Sequence, residues 1–520
     1  MPDKNNKMEI SIITNADLVI GQYVSFVVTL SSDKLILPNR NIIIKNNNSN
    51  NIKFDEMIIQ LVYDPDSLTA SQKLGFTVLK EVSGQPIKDG SLITFDVTTD
   101  ATAGGNGFAP VPFTGKANEI DPNTLSFFIE KPYLQVLPDG NQPTYTAIHT
   151  TLRNKNTHKE LIGTPVFITS LADHKMKEFI FKDAKNTNEI IPEKVGPNEG
   201  LNIASDNQGV VKFYLYPKLS LVNILELRTI ILNTMYEAFS KKIYVVNYSD
   251  PGYMNSIGIP SILGYDPSGI SANGGVPYFL TSVDSDDNEL EKGDMILFFV
   301  NDHYIDHAIP LVDPQSQLDQ YTIQLPYSIF IQNELSQFSY TVIKPNEHAL
   351  YSDLLPVTYL GGIPYEPDPK VERGYNTCIV HTSLGVGSNN IIPPSNWISP
   401  DSVMQYPEYK HDGLFIEIVR SDIHNPKATV NPVPLNITDI TLIMYINSEN
   451  KNFQKLYTKQ ITLNEIGGTG GNANSIFFNI PYKDVTDIRG NGSISFDYQF
   501  YLNENLQHSV AWNGLINTVN

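Results

Sequence analysis

Leu137-Pro-Asp139-Gly140-Asn-Gln-Pro-Thr-Tyr-Thr-Ala-Ile148 and Ser205-Asp206-Asn-Gln-Gly209-Val-Val-Lys-Phe-Tyr-Leu215 share one design, a turn that feeds a strand. In the first, Asp139-Gly140 supplies the positive backbone angle of a tight turn, and Tyr145, Ala147 and Thr151 then follow the period-two rhythm of a half-buried strand. In the second, Asn207-Gln-Gly209 reverses the chain into a hairpin and sets Val211, Phe213 and Leu215 on one face. Working outward, Gly163-Thr-Pro165-Val opens a strand, and Pro165 predicts an edge position because it donates no ladder hydrogen bond. Leu225–Leu232 and Lys242–Asn247 then read as a closing hairpin.

These motifs together resemble the bacterial immunoglobulin-like (Big_1-type) domain of the intimin and invasin family, over residues 131 to about 247. The resemblance implies a β sandwich serving as a spacer that projects a distal binding domain. Two features of that family are not found in the sequence: an outer-membrane barrel, and an apolar secretion signal after the polar start Met1-Pro-Asp-Lys.

The same reading extends along the chain. At 520 residues the polypeptide exceeds a single core, and β-branched and aromatic residues prevail over long helical periodicities. The expected fold class is all-β, tandem immunoglobulin-like β-sandwich domains, divided at 1–130, 131–248, 249–375 and 376–520. The last two resemble each other. Gly293–Val300, Tyr321–Tyr327 and Phe338–Val342 recur in order as Gly413–Val419, Phe477–Tyr482 and Phe496–Phe500. Proline-rich lead-ins carrying Tyr265, Tyr278, Tyr365, Tyr375 and Trp397 precede both and are expected to lie against the sandwiches and stiffen the joints. The asparagine run Asn46 to Asn51 and the glycine run Gly467 to Asn474 read as loop tips.

Composition narrows the function. With 56 acidic and 36 basic residues the net charge is −20, which disfavours a nucleic-acid partner. The lone Cys378, within the apolar run Thr377–His381, excludes an intrachain disulfide and reads as a buried thiol. No apolar run is long enough for a transmembrane helix. Among groups able to carry chemistry, Asp284, Asp286, Asp287 and Glu289 offer oxygen ligands for calcium, yet the twelfth position of an EF-hand loop is Met295, so a solvated hairpin tip is the simpler reading. His303 and His307 share strand parity beside carboxylates but lack zinc-site spacing, and His149, His158 and His174 are scattered. No nucleophile elbow or phosphate loop is present, and no enzyme activity and no cofactor are expected.

The 27 tyrosines and 24 phenylalanines against 2 tryptophans are the compositional hint of binding, and Trp397, Tyr406, Tyr409 and Trp512 are the candidate ligand patch at an exposed terminal tip. The expected function is adhesion or recognition of a protein or glycan on a cell surface by a surface-attached or secreted bacterial chain. The alternative is a structural or delivery component, such as a tail-fibre-like protein, supported by the missing signal and barrel. Oligomeric state is not encoded in any of these features.

Overall fold

A computed structural model describes the chain except residues 1–4, 46–49, 137–143, 158, 173–174, 196–197, 219–221, 248–256, 273–275, 277, 286–289, 345–347, 388–389, 404–412, 421–430, 436, 462–474, 504 and 520. Strands dominate. The α-helices among the described residues are the single turns Pro314–Gln317 and Tyr482–Val485, and no helix is long and apolar enough to cross a membrane. The fold is all-β and built from many separate sheets that pack in pairs over their own cores, as alternating strands require. The Asp139-Gly140 turn, most of the asparagine run, the glycine run, His158 and His174 lie outside the described residues.

The chain divides into two compact units, the first comprising residues 1–131, 145–216 and 225–243. Its leading core shows why alternation suffices. In Tyr23–Ser31, Val24, Phe26, Val28 and Leu30 point inward while the residues between them are partly or fully exposed. Phe26, Phe54, Phe76, Phe95 and Phe113 interlock at ring-centroid separations of 4.7 to 6.0 Å. Gly104 and Gly105, at φ +56° and +83°, make the two-residue turn joining Thr102–Ala103 to Asn106–Gly107.

The next sheet has the order Phe128–Ile129, Thr146–Thr151, Val210–Pro217, Phe179–Lys182, Glu189–Ile190. Val211, Phe213 and Leu215 are fully buried on one face, as the sequence predicts. Three other expectations need correction. Thr146–Thr151 is buried at all six positions rather than alternately, partly because the 3-10 turn Pro122–Leu125 lies beside it and Thr150 Oγ1 donates to Thr124 O. The turn at Gly209 is not a hairpin within one sheet. Asn198–Ala204 pairs with Pro165–Ser170, whereas Val210–Pro217 pairs with Thr146–Thr151, so the turn carries the chain from one sheet to the other. Pro165–Ser170 is an interior strand, flanked by Asn198–Ala204 and Asn223–Ile230. Pro165 is tolerated there because it is the first residue of the strand.

Polar contacts stitch the two cores of this unit together. Gln22 Nε2 donates to Pro165 O at 2.6 Å, Tyr23 N to Leu232 O at 2.9 Å, and Asn233 Nδ2 to Gly21 O at 3.1 Å.

The second unit comprises residues 132–144, 217–224 and 244–520. Two ladders in it share one hydrogen-bond plan. Met295–Val300 pairs with Leu335–Ile343 so that Phe298 faces Tyr340, and Asp439–Asn447 pairs with Gly492–Leu502 so that Leu442 faces Tyr498. Tyr340 N donates to Ser352 Oγ and Ser352 N to Tyr340 O, at 2.9 and 3.0 Å. Tyr498 and Ser509 repeat the exchange, both bonds at 2.9 Å. Phe338 then faces Leu355 as Phe496 faces Trp512. This register changes the correspondence read from the sequence. Gly293–Val300 matches Asp439–Asn447, and the counterpart of Leu414–Val419 is Tyr278–Ser282, since each of those two pairs with the strand that ends before the Pro-Tyr step.

Trp512 is therefore a core residue at the Leu355 position, 1 % exposed, and not part of a surface patch. Trp512→Ala should lower the stability of the C-terminal core by about 3–5 kcal/mol, read as an earlier denaturant transition. Gly209→Ala should cost about 2 kcal/mol, because φ is +74° and the new Cβ would stand 2.8 Å from Glu160 Cβ and 3.1 Å from Leu152 O. An unchanged transition in either variant would contradict these placements.

Candidate functional site

The structure brings together two residues that the sequence singles out separately, Trp397 and His307. The hairpin leading to His307 turns on Asn301 and Asp302, both with positive φ, between the paired Val300 and His303. Beyond it the ladder slips. Phe299 faces Tyr304 while Leu297 faces Ala308, so three residues oppose one, and Asp306 takes φ +53°. This bulge breaks the parity expected of the two histidines. His303 stays exposed at the turn with Nδ1 2.7 Å from Asn301 O, whereas His307 is carried against Phe298 and Trp397, at centroid separations of 6.1 and 6.3 Å.

Trp397 lies in Trp397–Ile398, which runs parallel to Trp512–Ile516. Its indole Nε1 donates to Asp306 O, so the ring acts as a pin on the bulge instead of an open ligand platform. His307 also lines a cavity of about 250 Å³ with Ile309, Gln317, Thr322, Ile323, Gln324 and Asn491. The amides around it are engaged. Gln317 Oε1 accepts from Val312 N and Asp313 N, and Asn491 Nδ2 donates to Gln324 O at 2.9 Å. Burial lowers the His307 pKa to about 4, leaving a neutral imidazole at neutral pH. With no carboxylate in the lining, the cavity suits hydrogen bonding of a small polar molecule better than proton transfer.

The other candidates separate. Tyr406, Tyr409, Asp286, Asp287 and Glu289 lie outside the described residues. Asp284 is exposed and neighbours Asp319, whose Oδ1 accepts from Ser285 N at 2.9 Å. Among the described residues no group of three or more His, Cys, Asp or Glu is placed to hold a metal ion. Cys378 is 2 % exposed, and burial raises its pKa, so the thiol stays protonated. His149 is also buried. Desolvation, followed by the charge of Lys212, lowers its pKa to about 3.

One grouping has no forerunner among the sequence candidates. His381 Nε2 is 3.0 Å from Glu417 Oε2, Ser475 Oγ donates to Glu417 Oε1 at 2.8 Å, and His381 Nδ1 is 3.2 Å from Gly387 O. Both members of the His–Glu pair are fully buried. The signal was a glutamate interrupting the apolar run Leu414-Phe-Ile-Glu-Ile-Val419 and a histidine ending Cys378-Ile-Val-His381, each needing a buried partner. Sealed from solvent, this group ties three segments of the fold and offers no room for a substrate.

The lead-in aromatics behave as struts. Tyr265 OH donates to Pro356 O at 2.7 Å, Tyr375 packs edge-on against Phe500 at 4.8 Å, and Asn447 and Tyr365 exchange two hydrogen bonds. Arg373 Nη1 reaches Asp497 Oδ2 and Ser509 O, both at 2.7 Å, clamping the same segment on the C-terminal sheet.

No family model and no curated protein matches the chain. Solved structures with similarity include domains 4–9 of the surface layer protein SbsC, at 9% identity over 99% of this chain and 84% of that one, with a TM-score of 0.17. Another is the C-terminal domain of the Streptococcus agalactiae AgI/II polypeptide BspA, at 7% identity over 46% of this chain and 99% of that one, with a TM-score of 0.15. These scores lie below the level at which two chains share an overall fold.

The lowered pKa of His307 sets a pH window. Above pH 6.5 the ring is neutral both folded and unfolded. As the pH falls from 6.5 towards 4 the unfolded chain takes up the proton first, so stability is lost across that interval, by up to about 3 kcal/mol. His307→Gln should lose less stability than wild type between pH 7 and pH 4 in thermal melts. An identical acid loss in both proteins would rule out this assignment.

Proposed function

We propose that the chain is a non-catalytic recognition or adhesion protein of a bacterial surface, in which successive sandwiches space and present a binding face to a protein or glycan on a cell. The observation that carries this reading is the packing of the joints. In the second unit, the outward face of Met295–Val300, formed by Met295, Leu297 and Phe299, is covered by Val222, Tyr244 and Val246, with Tyr133 packed beside them. Side chains that would otherwise face water are used to fasten one segment to the next. The Trp397 pin and the Arg373 clamp act in the same way. Fastened joints hold a binding face at a set position and carry force along the chain, which is what a spacer requires and a soluble catalyst does not. The resemblance of residues 131 to about 247 to the intimin and invasin domains supports the same assignment.

The test is adhesion by the intact chain. Beads bearing the full-length protein should be retained on epithelial monolayers or on bacterial lawns above albumin-coated beads, and prior protease or glycosidase treatment of the cells will separate a protein receptor from a glycan. Retention no greater than albumin on every surface would end the recognition reading.

A further inference from the structure

The outward face of the sheet containing Thr146–Thr151 and Val210–Pro217 carries a tyrosine cluster that the candidate patch at the C-terminal end does not include. Val211, Phe213 and Leu215 point into the core, so Lys212, Tyr214 and Tyr216 point out. The register sets Ala147 opposite Tyr214 and Thr146 opposite Leu215, which brings Tyr145 alongside Tyr216. The rings of Tyr145 and Tyr216 stack at 5.0 Å with an interplanar angle of 30°, and Tyr214 meets Tyr145 edge-on at 5.8 Å. Tyr145 remains 41% exposed.

Two cations flank the rings. Lys182 Nζ stands 4.6 Å from the Tyr216 centroid and Lys212 Nζ 5.4 Å from that of Tyr214. The cluster is also held in place from below. Tyr216 OH donates to Asn186 Oδ1 at 2.8 Å, from a turn in which Asn186 has φ +60°. That turn is closed by Asp183, whose carboxylate accepts from Thr187 N at 2.9 Å and from the Asn188 amide at 2.8 Å. These hydrogen bonds lower the Asp183 pKa to about 2, so its carboxylate stays ionised beside the cluster. Glu189, across the ladder from Lys182, is a second acidic neighbour, and the two carboxylates keep the local cation density modest.

From this arrangement we propose that Tyr145, Tyr214 and Tyr216, with Lys182 and Lys212, form a binding site for an acidic polysaccharide carrying about one carboxylate per sugar. An exposed ring already braced by its neighbours receives the C–H face of a pyranose with little side-chain ordering. A lysine at the margin matches a carboxylate, and this pairing occurs on a chain whose net charge of −20 otherwise repels polyanions. Asp183 and Glu189 together disfavour densely charged chains such as nucleic acids or heavily sulfated glycans. The site rests on the recognition role proposed above and names the ligand class for it.

Affinity electrophoresis of the full-length protein in gels containing alginate, a polyuronate, tests the site against gels containing dextran. Alginate should retard the wild type and dextran should not. Tyr145→Ala should weaken retardation at least tenfold, and Lys182→Gln should weaken it and flatten its salt dependence, with both variants still showing a cooperative thermal transition. Equal mobility in alginate and dextran would overturn the proposal, as would equal competition by polyglutamate or single-stranded DNA, or full retardation of both variants. The adhesion assay separates this site from the wider role. Wild type and Tyr145→Ala beads adhering equally would remove the site and leave the recognition reading standing, whereas wild-type beads adhering nowhere would remove that reading while the alginate gel still decides the site.

Discussion

The structure of the second unit depends on one strand having two apolar faces. Met295–Val300 is buried at all six positions, with Ile296, Phe298 and Val300 filling the sandwich beneath it and Met295, Leu297 and Phe299 filling a second cluster on the other side. A strand exposed on one face needs only alternate apolar residues. A continuous apolar run has to be covered twice. The covering residues Val222, Tyr244 and Val246 come from a segment some fifty residues or more earlier in the chain, so the joint forms once both contributing strands are in place. By contrast, the leading core of the first unit is built from strands such as Tyr23–Ser31 that alternate cleanly, and its joint is made by hydrogen bonds such as those of Gln22 and Tyr23.

Buried polar groups follow the same division of labour. His381, Glu417 and Ser475 satisfy one another inside the C-terminal sandwich, and Asp497 is met by Arg373 and Tyr445. These contacts hold a loop or a lead-in segment against a sheet, so their net contribution is to fix which segment lies where more than to add stability. His149 and His307 differ, since both remain uncharged at neutral pH because they are desolvated, and both make the folded chain sensitive to acid.

Much of the fold was legible because period-two patterning and turn chemistry are local. Val211, Phe213 and Leu215 could be placed inward from their spacing alone, and Gly209 could be placed at a turn from its freedom at positive φ. Which sheet the chain enters after that turn is decided by partners distant in sequence, and so the sequence does not distinguish a sheet-to-sheet crossing from a hairpin. The missing donor of Pro165 is compatible with an edge or with a strand's first position, and sequence does not separate them. The bulge at Asp306 is a positive-φ event at a non-glycine residue, invisible to patterning, and it changes the parity of His307, which meets Trp397, relative to His303. Trp512 looked like a binding aromatic because large rings serve surfaces and cores alike. Its core role emerges only when Phe496 is aligned with Phe338 through the ladders. The tyrosine cluster was hidden for the converse reason, since Tyr145 joins Tyr214 and Tyr216 from some seventy positions away.

The shared ladder of the two later segments also bears on how a nascent polypeptide avoids confusing them. Neighbouring segments with matched hydrogen-bond plans are prone to exchange strands, because the backbone of one fits the slot of the other. Here the slots differ in volume. Leu355 stands where the other segment has Trp512, and Phe298 where it has Leu442. Exchanging the two strands would leave a void at one site and a clash at its counterpart, so a common backbone plan is paired here with side-chain volumes that are not interchangeable.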